Sequence, residues 1–112
     1  MNYAVIMGNL VRDPELKHTS SGLAVANLTI AVNRRKKDGT DKVAFIDVTM
    51  WDKRAEAFAK FHKKGDKALV QGHLDMDSWT DKATGANRTK IKLVAENWEF
   101  VKGDTKTKES SF

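Results

Sequence analysis

Apolar side chains recur at every second position over most of this 112-residue chain, and this two-residue period limits the fold more than any other feature. In the stretch 23–33 one alternate set is entirely apolar: Ala24, Ala26, Leu28, Ile30 and Val32. Similar alternation runs through 43–51, 67–79 and 88–101. Because successive side chains of a β-strand point to opposite faces of its sheet, the pattern predicts half-buried strands.

The apolar set of each of these later strands is predicted to face the core. The sets are Ala44, Ile46, Val48 and Met50, then Ala68, Val70, Gly72, Leu74 and Met76, and finally Ile91, Leu93 and Ala95. A further strand is predicted over 3–11, a short apolar run with several β-branched residues that ends before Pro14. The chain is therefore expected to form five strands.

The period changes once, between residues 53 and 64. Ala55, Phe58 and Ala59 follow helical spacing there, with Asp52 available as an N-terminal cap and a glycine beyond the end. Five strands with one α-helix between the third and the fourth predict an all-β fold, a five-stranded OB-fold barrel. Another small barrel or sandwich with an incidental helix is the alternative architecture.

Charge gives the first indication of a partner. Lys and Arg number 20 and Asp and Glu 15, which leaves a formal net charge of +5 and a pI of about 9.5. Such a balance suits nucleic acid, an acidic membrane surface or an acidic protein. No apolar run approaches the ~20 residues of a membrane span, and residues 1–7 lack the basic start of a signal peptide. A cytoplasmic protein with no membrane partner is expected.

The sequence shows no set of residues suited to catalysis or metal binding. Cysteine is absent, which excludes disulfides, thiolate metal sites and a thiol nucleophile. No two of His18, His62 and His73 have a metal-ligand spacing, and His62, near the end of the helix, is predicted to lie at the surface. Asp75 and Asp77 alternate on a polar strand face, where solvated carboxylates are expected rather than an acid–base pair. We therefore predict no enzyme, no metal and no cofactor.

Three aromatic residues stand among polar neighbours on the predicted strands. Phe45 and Trp51 share a face with two polar residues, and Trp79 lies on the polar face of its strand. Aromatic side chains in such positions are platforms on which nucleic-acid bases stack. Alternatively, each covers a contact between subunits or the rim of the barrel.

Basic residues accompany these aromatics. One run leads into the strand of Phe45, a second alternates along the last predicted strand, and one lysine stands at the start of the helix. The predicted phosphate contacts are Arg34, Arg35, Lys36, Lys37, Lys53, Arg88, Lys90 and Lys92. Charge runs are commonly solvated surface, but stacked bases require cations beside them for their phosphates.

Seven short motifs occur in a fixed order along the chain. They are GNLVRDPEL at 8–16, SGLAVAN at 21–27, AVNRR at 31–35, WDKRAE at 51–56, KKG at 63–65, VQGHL at 70–74 and SWTD at 78–81. In this combination the sequence resembles the bacterial-type single-stranded DNA-binding protein family over residues 1–101, nearly the whole chain. The resemblance implies an OB-fold that binds single-stranded DNA without sequence preference. It also implies a homo-oligomer, with a tetramer favoured over a dimer.

The resemblance further implies roles for individual residues. Phe45, Trp51 and Trp79 match three positions at which the family stacks bases. A fourth such position is occupied here by Lys36, which implies a phosphate contact in place of stacking.

Residues 102–112 are expected to form a short flexible C-terminal tail. They hold two acids, three lysines and a terminal Phe112. Many family members recruit repair proteins through a long acidic tail, so recruitment by that route is not expected here.

The expected function is sequence-independent binding and protection of single-stranded DNA in replication, recombination or repair. The setting is the nucleoid of a bacterium or, for a phage-encoded protein, the cytoplasm of its host. An OB-fold adaptor or an RNA-binding module in a replication or recombination complex is the alternative.

Overall fold

The computed structural model describes residues 1–101, which form six β-strands and one α-helix. In chain order these are β1 (Ala4–Leu10), β2 (Glu15–His18), β3 (Ala24–Arg35), β4 (Asp41–Trp51), α1 (Asp52–Phe61), β5 (Lys67–Thr80) and β6 (Asn87–Phe100). The flexible tail predicted over 102–112 lies outside the described residues.

Five of the strands close into a ring. β1 pairs with β5, β5 with β6, β6 with β4, β4 with β3, and β3 returns to β1 at Asn9 and Leu10. The ring pairings are antiparallel except that of β4 with β6. α1 follows the third ring strand in the sequence, β4, and precedes the fourth, β5. The predicted all-β fold of the OB type, with its helix in that position, is confirmed.

β2 was not predicted from the sequence. Its four residues are all exposed, and it lies beside β3, with Glu15 opposite Asn27 and His18 opposite Ala24. A four-residue strand with both faces in solvent has no apolar alternate set. The two-residue period therefore does not reveal it.

Alternate side chains of the ring strands point inward and form the core. The largest fully buried side chains are Phe58, Leu28, Ile30, Met50, Leu93, Val48 and Val70. All but Phe58 belong to sets predicted from the alternation, and Phe58 comes from α1, which packs mainly against β3. Fully burying a side chain of this size contributes about 1.5–3 kcal/mol, so these seven residues account for much of the apolar stabilisation.

Part of the predicted core lies in solvent. Leu74, Met76 and Ile91 are 44%, 54% and 59% exposed, and Ala44 is exposed as well. β5 and β6 are each 14 residues long, but β6 meets β4 only through Leu93 and its neighbour in the sequence. The β3–β4 and β5–β6 hairpins both extend past this meeting point. Beyond it, β4 and β6 are not paired within residues 1–101, so the ring does not close over these side chains.

α1 begins and ends differently from the prediction. It starts at Asp52, directly after β4, and Asp52 has a φ of 63°. Trp51 is the N-cap and no side chain makes a capping hydrogen bond, so the expected cap by Asp52 is wrong. Because no linker separates strand from helix, the chain turns within one residue, and Asp adopts positive φ more readily than most residues. The helix ends at Phe61 rather than at residue 64.

His62 is buried, which corrects its predicted place at the surface. The residue is 3% exposed, and its ring stacks on that of Phe58 with ring centres 3.9 Å apart. Trp98 meets the same ring edge-on at 5.2 Å. Nδ1 lies 3.0 Å from the carbonyl oxygen of Phe58, so Nδ1–H donates to it. The backbone becomes extended at His62, where the helix stops, and the ring enters the core.

Candidate nucleic-acid interface

The outward side of β4 carries two of the predicted stacking residues. Phe45, Asp47, Thr49 and Trp51 occupy alternate positions of the strand, so they share the side away from the core. Phe45 is 66% exposed and Trp51 39% exposed. Two large aromatic side chains of one strand thus face solvent, so packing in the core does not explain why these positions are aromatic.

Two neighbouring strands extend this surface. β6 runs parallel to β4 with Thr49 opposite Val94, so the alternate basic residues of β6 lie on the same side. β5 pairs with β6 and places Trp79, which is 49% exposed, opposite Arg88. We call the outward surface of β3, β4, β6 and β5 the aromatic face. It brings together all three predicted stacking residues, Phe45, Trp51 and Trp79.

A groove of about 220 Å³ opens on the aromatic face. Its polar lining is Arg12, Asn27, Asp47, Thr49, Asp77, Lys90 and Lys92. Sequence reasoning did not select Arg12, because it stands in the bend after β1 and belongs to neither basic run. Its presence in the motif at 8–16 was the one signal available.

Half of the predicted phosphate contacts are paired with carboxylates. The pairs are Arg35–Asp41 at 3.5 Å, Arg88–Asp81 at 3.2 Å, Lys92–Asp77 at 3.1 Å, and Lys90–Asp47. Exposed ion pairs of this kind are worth about 0–1 kcal/mol, so the pairs do little for stability. They do reduce the positive charge that the aromatic face presents.

The remaining four predicted contacts form no ion pair within residues 1–101, and all are exposed: Arg34, Lys36, Lys37 and Lys53. Arg34 lies opposite Lys42 on the other side of the β3–β4 hairpin from Phe45, so the structure does not place it on the aromatic face. Lys53 lies in the first turn of α1, two residues after Trp51.

The turn that carries Lys36 and Lys37 is held by its own hydrogen bonds. The backbone N–H of Lys36 donates to the carbonyl oxygen of Thr40 at 2.7 Å. Thr40 donates to Oδ1 of Asp38 through its hydroxyl at 2.7 Å and its backbone N–H at 3.0 Å. These hydrogen bonds hold the pKa of Asp38 below its ordinary value. The two lysines therefore project from an ordered end of the β3–β4 hairpin.

Asp47 is an ionised carboxylate within the aromatic face. Partial burial raises its pKa, but hydrogen bonds from Lys90 and Thr29 and the charges of Lys90 and Arg12 lower it more. The net pKa lies below the ordinary value for aspartate. Oδ1 accepts the hydrogen bond from Thr29 Oγ1 at 3.0 Å. A negative charge therefore persists at neutral pH between Phe45 and Trp51.

Exposed rings, cations and a polar groove together suit a flexible anionic polymer that carries planar rings, which is the chemistry of a single nucleic-acid strand. Among residues 1–101 no three or more His, Asp or Glu side chains are arranged to hold a metal ion. In the same range no helix has the length and apolar character needed to cross a membrane.

Comparison with known proteins places the chain in a family. The family model described as "Single-strand binding protein family" matches residues 1–101. A protein of Wolinella succinogenes named single-stranded DNA-binding protein is 41% identical over 104 residues, which cover 89% of this chain and 64% of that protein. Proteins of the same name are 39% identical in Helicobacter hepaticus and 36% identical in Borreliella burgdorferi. Those matches cover 89% and 96% of this chain, and 61% and 74% of the relatives.

The chain thus spans less than two-thirds of the length of two of these relatives. The family model nevertheless covers every residue that the structure describes. The chain belongs to the single-strand binding protein family.

Proposed function

We propose that this protein binds single-stranded DNA without sequence preference and protects it during replication, recombination or repair. The observation that carries the proposal is the exposure of Phe45, Trp51 and Trp79 on one outward face, beside a polar groove and basic side chains. Every base has a face that stacks on an aromatic ring, which is why such a surface tolerates any sequence. The names of the relatives point to the same ligand.

The two kinds of contact contribute differently in this proposal. Each stacked base is worth about 1–3 kcal/mol, a general value for sites of this class. Phosphate contacts add an attraction that weakens with salt, with a log–log slope of about −0.7 for each phosphate neutralised on a single strand. Lys36, Lys37 and Lys53 are expected to lead these contacts, since no carboxylate within residues 1–101 pairs with them.

Tryptophan fluorescence tests the proposal directly. Oligo-dT added at low salt should quench Trp51 and Trp79, because both rings are exposed. Trp98 is partly buried and meets Phe58 edge-on with ring centres 5.6 Å apart, so its emission should change little. The double variant Trp51→Phe, Trp79→Phe should lose most of the quenching. A complete lack of quenching by saturating oligo-dT in the unaltered protein would contradict the proposal.

Competition between oligo-dT and oligo-rU of equal length separates the proposal from the RNA-binding alternative. Stacking and phosphate contacts can hold either DNA or RNA, and only contacts sensitive to the 2′-hydroxyl distinguish the two. Stronger binding of oligo-dT supports the DNA-binding function. Equal or stronger binding of oligo-rU favours the RNA-binding module.

We also propose that the protein is a homo-oligomer, with a tetramer favoured over a dimer. Along residues 4–8, β1 pairs with β5 on one edge, and its other edge has no partner strand among residues 1–101. Tyr3, Val5 and Met7 are 58%, 52% and 48% exposed at alternate positions beside that edge. An unpaired strand edge next to exposed apolar side chains suits pairing with a second copy of the chain.

The molar mass in solution, measured by light scattering with and without DNA, tests the oligomer. Val5→Glu places a charge on the apolar side of β1 and should lower the mass. Leu16→Glu, on the exposed strand β2, is the matched control and should leave the mass unchanged. A monomeric mass for the unaltered protein at every concentration would refute the homo-oligomer.

The proposed location follows from the proposed ligand: the cytoplasm, in the nucleoid of a bacterium or in the host of a phage. Recruitment of repair proteins through residues 102–112 is not part of the proposal, because the three lysines there outnumber the two acids.

A further inference from the structure

Asp47 is an unusual residue for a surface that binds a polyanion. It lies on β4 two positions from Phe45 and four from Trp51, and it lines the groove on the aromatic face. A carboxylate repels phosphate at short range, so the backbone of a bound strand is expected to pass elsewhere. The part of the strand that faces Asp47 is then a base, which lies along β4 between the positions of Phe45 and Trp51.

Asp47 has acceptor positions to spare. Oδ1 accepts from Thr29 Oγ1 at 3.0 Å, and Oδ2 pairs with Nζ of Lys90. A carboxylate offers about four acceptor positions, so these two contacts leave about half of them open. The side chain is 31% exposed, which gives a ligand in the groove access to it.

Hydrogen-bond donors lie in the same groove. Thr49 Oγ1 donates to Oδ1 of Asn27 at 3.1 Å, and that contact leaves the amide N–H groups of Asn27 uninvolved. Arg12 lines the groove with a guanidinium group, which only donates. The groove therefore presents two carboxylates, Asp47 and the Lys92-paired Asp77, together with donors from Asn27 and Arg12.

This set of groups fits the edge of cytosine better than that of thymine. Cytosine donates from its exocyclic amino group and accepts at its ring nitrogen and carbonyl oxygen, and carboxylates recognise the amino group. Thymine has a carbonyl oxygen at the position of the amino group. The N–H of thymine lies between two carbonyl oxygens, which repel an approaching carboxylate.

We propose that Asp47 accepts a hydrogen bond from the exocyclic amino group of a base in the groove, which biases an otherwise sequence-tolerant site toward cytosine over thymine. The inference rests on the proposed function, because it requires bases to stack on the aromatic face. One net hydrogen bond of this kind corresponds to about a two- to tenfold difference in affinity.

The test compares Asp47→Asn with a matched control, Asp41→Asn, in binding to oligo-dC and oligo-dT of equal length. The pH is kept above neutral so that cytosine is not protonated. Asp41 lies on the same strand and the same face as Asp47, and each substitution removes a carboxylate and frees one cation, Arg35 or Lys90. Because the aromatic face becomes more positive, Asp41→Asn should bind both oligonucleotides more tightly, and Asp47→Asn should bind oligo-dT more tightly.

The ratio of the oligo-dC affinity to the oligo-dT affinity distinguishes a hydrogen bond from cytosine to Asp47 from a general effect of charge. Asp47→Asn should lower the ratio of oligo-dC to oligo-dT affinity by about two- to tenfold, since an amide also donates to the carbonyl oxygens of thymine. Asp41→Asn should leave the ratio unchanged. A ratio that Asp47→Asn leaves unchanged, or that both variants change equally, would overturn the inference and leave Asp47 as the counter-ion of Lys90.

A second measurement uses the unaltered protein and does not depend on how a variant folds. Replacing cytosine by N4,N4-dimethylcytosine removes the amino N–H groups and should abolish the preference over oligo-dT. The control base 5-methylcytosine keeps the amino group and should retain the preference. Equal affinity for the two methylated oligonucleotides would overturn the inference. Failure of the unaltered protein to bind any of the oligonucleotides would instead overturn the proposed function.

Discussion

Trp51, Trp79 and Lys36 are proposed to hold different parts of the same DNA strand, so their loss should have different signatures. Trp51→Ala and Trp79→Ala should each weaken binding by about 1–3 kcal/mol, because each removes a stacking surface. Neither should change the dependence of affinity on salt. Lys36→Ala should reduce the log–log salt slope by about 0.7, because one fewer phosphate is neutralised. Titrations of each variant over a series of salt concentrations provide both quantities.

Lys42→Ala is the control for these titrations, since Lys42 lies opposite Arg34 on the side of the β3–β4 hairpin that faces away from Phe45. It should change neither the affinity nor the slope. If all three site variants lowered the slope equally, the two tryptophans would be acting through the charges around them rather than by stacking.

His62 shows how a polar residue is accommodated in the core. Its ring is stacked on Phe58 and its Nδ1–H is bonded to a carbonyl oxygen, so burial leaves that donor satisfied. His62→Ala removes the stacked ring and leaves a cavity, and we expect a loss of about 2–4 kcal/mol in the free energy of unfolding. Urea titration at one fixed protein concentration measures the loss. His18→Ala, at an exposed position, should cost less than about 0.5 kcal/mol, and a similar loss from both would contradict the structural role of His62.

At the scale of the strand, the two-residue period correctly predicted which side each residue takes, but not where the covered part of the sheet ends. Val70 and Leu74 belong to one alternate set of β5, yet Val70 is fully buried and Leu74 is 44% exposed. The difference depends on β4, which meets β6 only at residues 48 and 49. That contact joins segments far apart in the chain, and no local pattern reports it.

The same limit applies to the candidate site. The exposure of Phe45, Trp51 and Trp79 was predictable, because an aromatic residue in a polar alternate set points away from the core. Their presence on one face was not, since it depends on the parallel pairing of β4 with β6. The pairing of Lys90 with Asp47 was hidden for the same reason. A basic run read from the sequence therefore overstates the free positive charge of the folded surface.

Gly72 allows β5 and β6 to stay paired through an irregularity in their register. The shift lies between Gln71 and Gly72, and a Cβ at Gly72 would collide with the carbonyl oxygen of Val94. Because the obstacle is backbone, Gly72→Ala should destabilise the protein by about 2 kcal/mol or more. Gly85→Asn is the comparison: Gly85 has a φ of 76° but open space around it, and Asn tolerates that conformation at a cost below about 1 kcal/mol.

Thermal and urea unfolding of both glycine variants measure these costs. Equal destabilisation by the two substitutions would show that β5 and β6 shift apart easily, and that close approach at the irregularity does not require glycine.

At the scale of the whole molecule, the formal net charge of +5 says little about how the proposed DNA ligand would be held. Four of the eight proposed phosphate contacts already have carboxylate partners. When such a cation moves from its carboxylate to a phosphate, the phosphate releases a counter-ion but the carboxylate gathers one. The exchange therefore changes the number of free ions very little, and only the unpaired cations contribute to the salt dependence.

This count predicts a shallow salt dependence. Lys36, Lys37 and Lys53 together correspond to a log–log slope of about −2 per protomer, whereas adding the four paired cations would give about −5. Asp41→Asn frees Arg35 and should steepen the slope by about 0.7. The affinity for oligo-dT is measured over a tenfold range of salt concentration. The log–log slope of these affinities, divided by the number of protomers bound, is the slope per protomer. A value near −5 for the unaltered protein would mean that the four ion pairs do not persist in solution, and Asp41→Asn would then leave the slope unchanged.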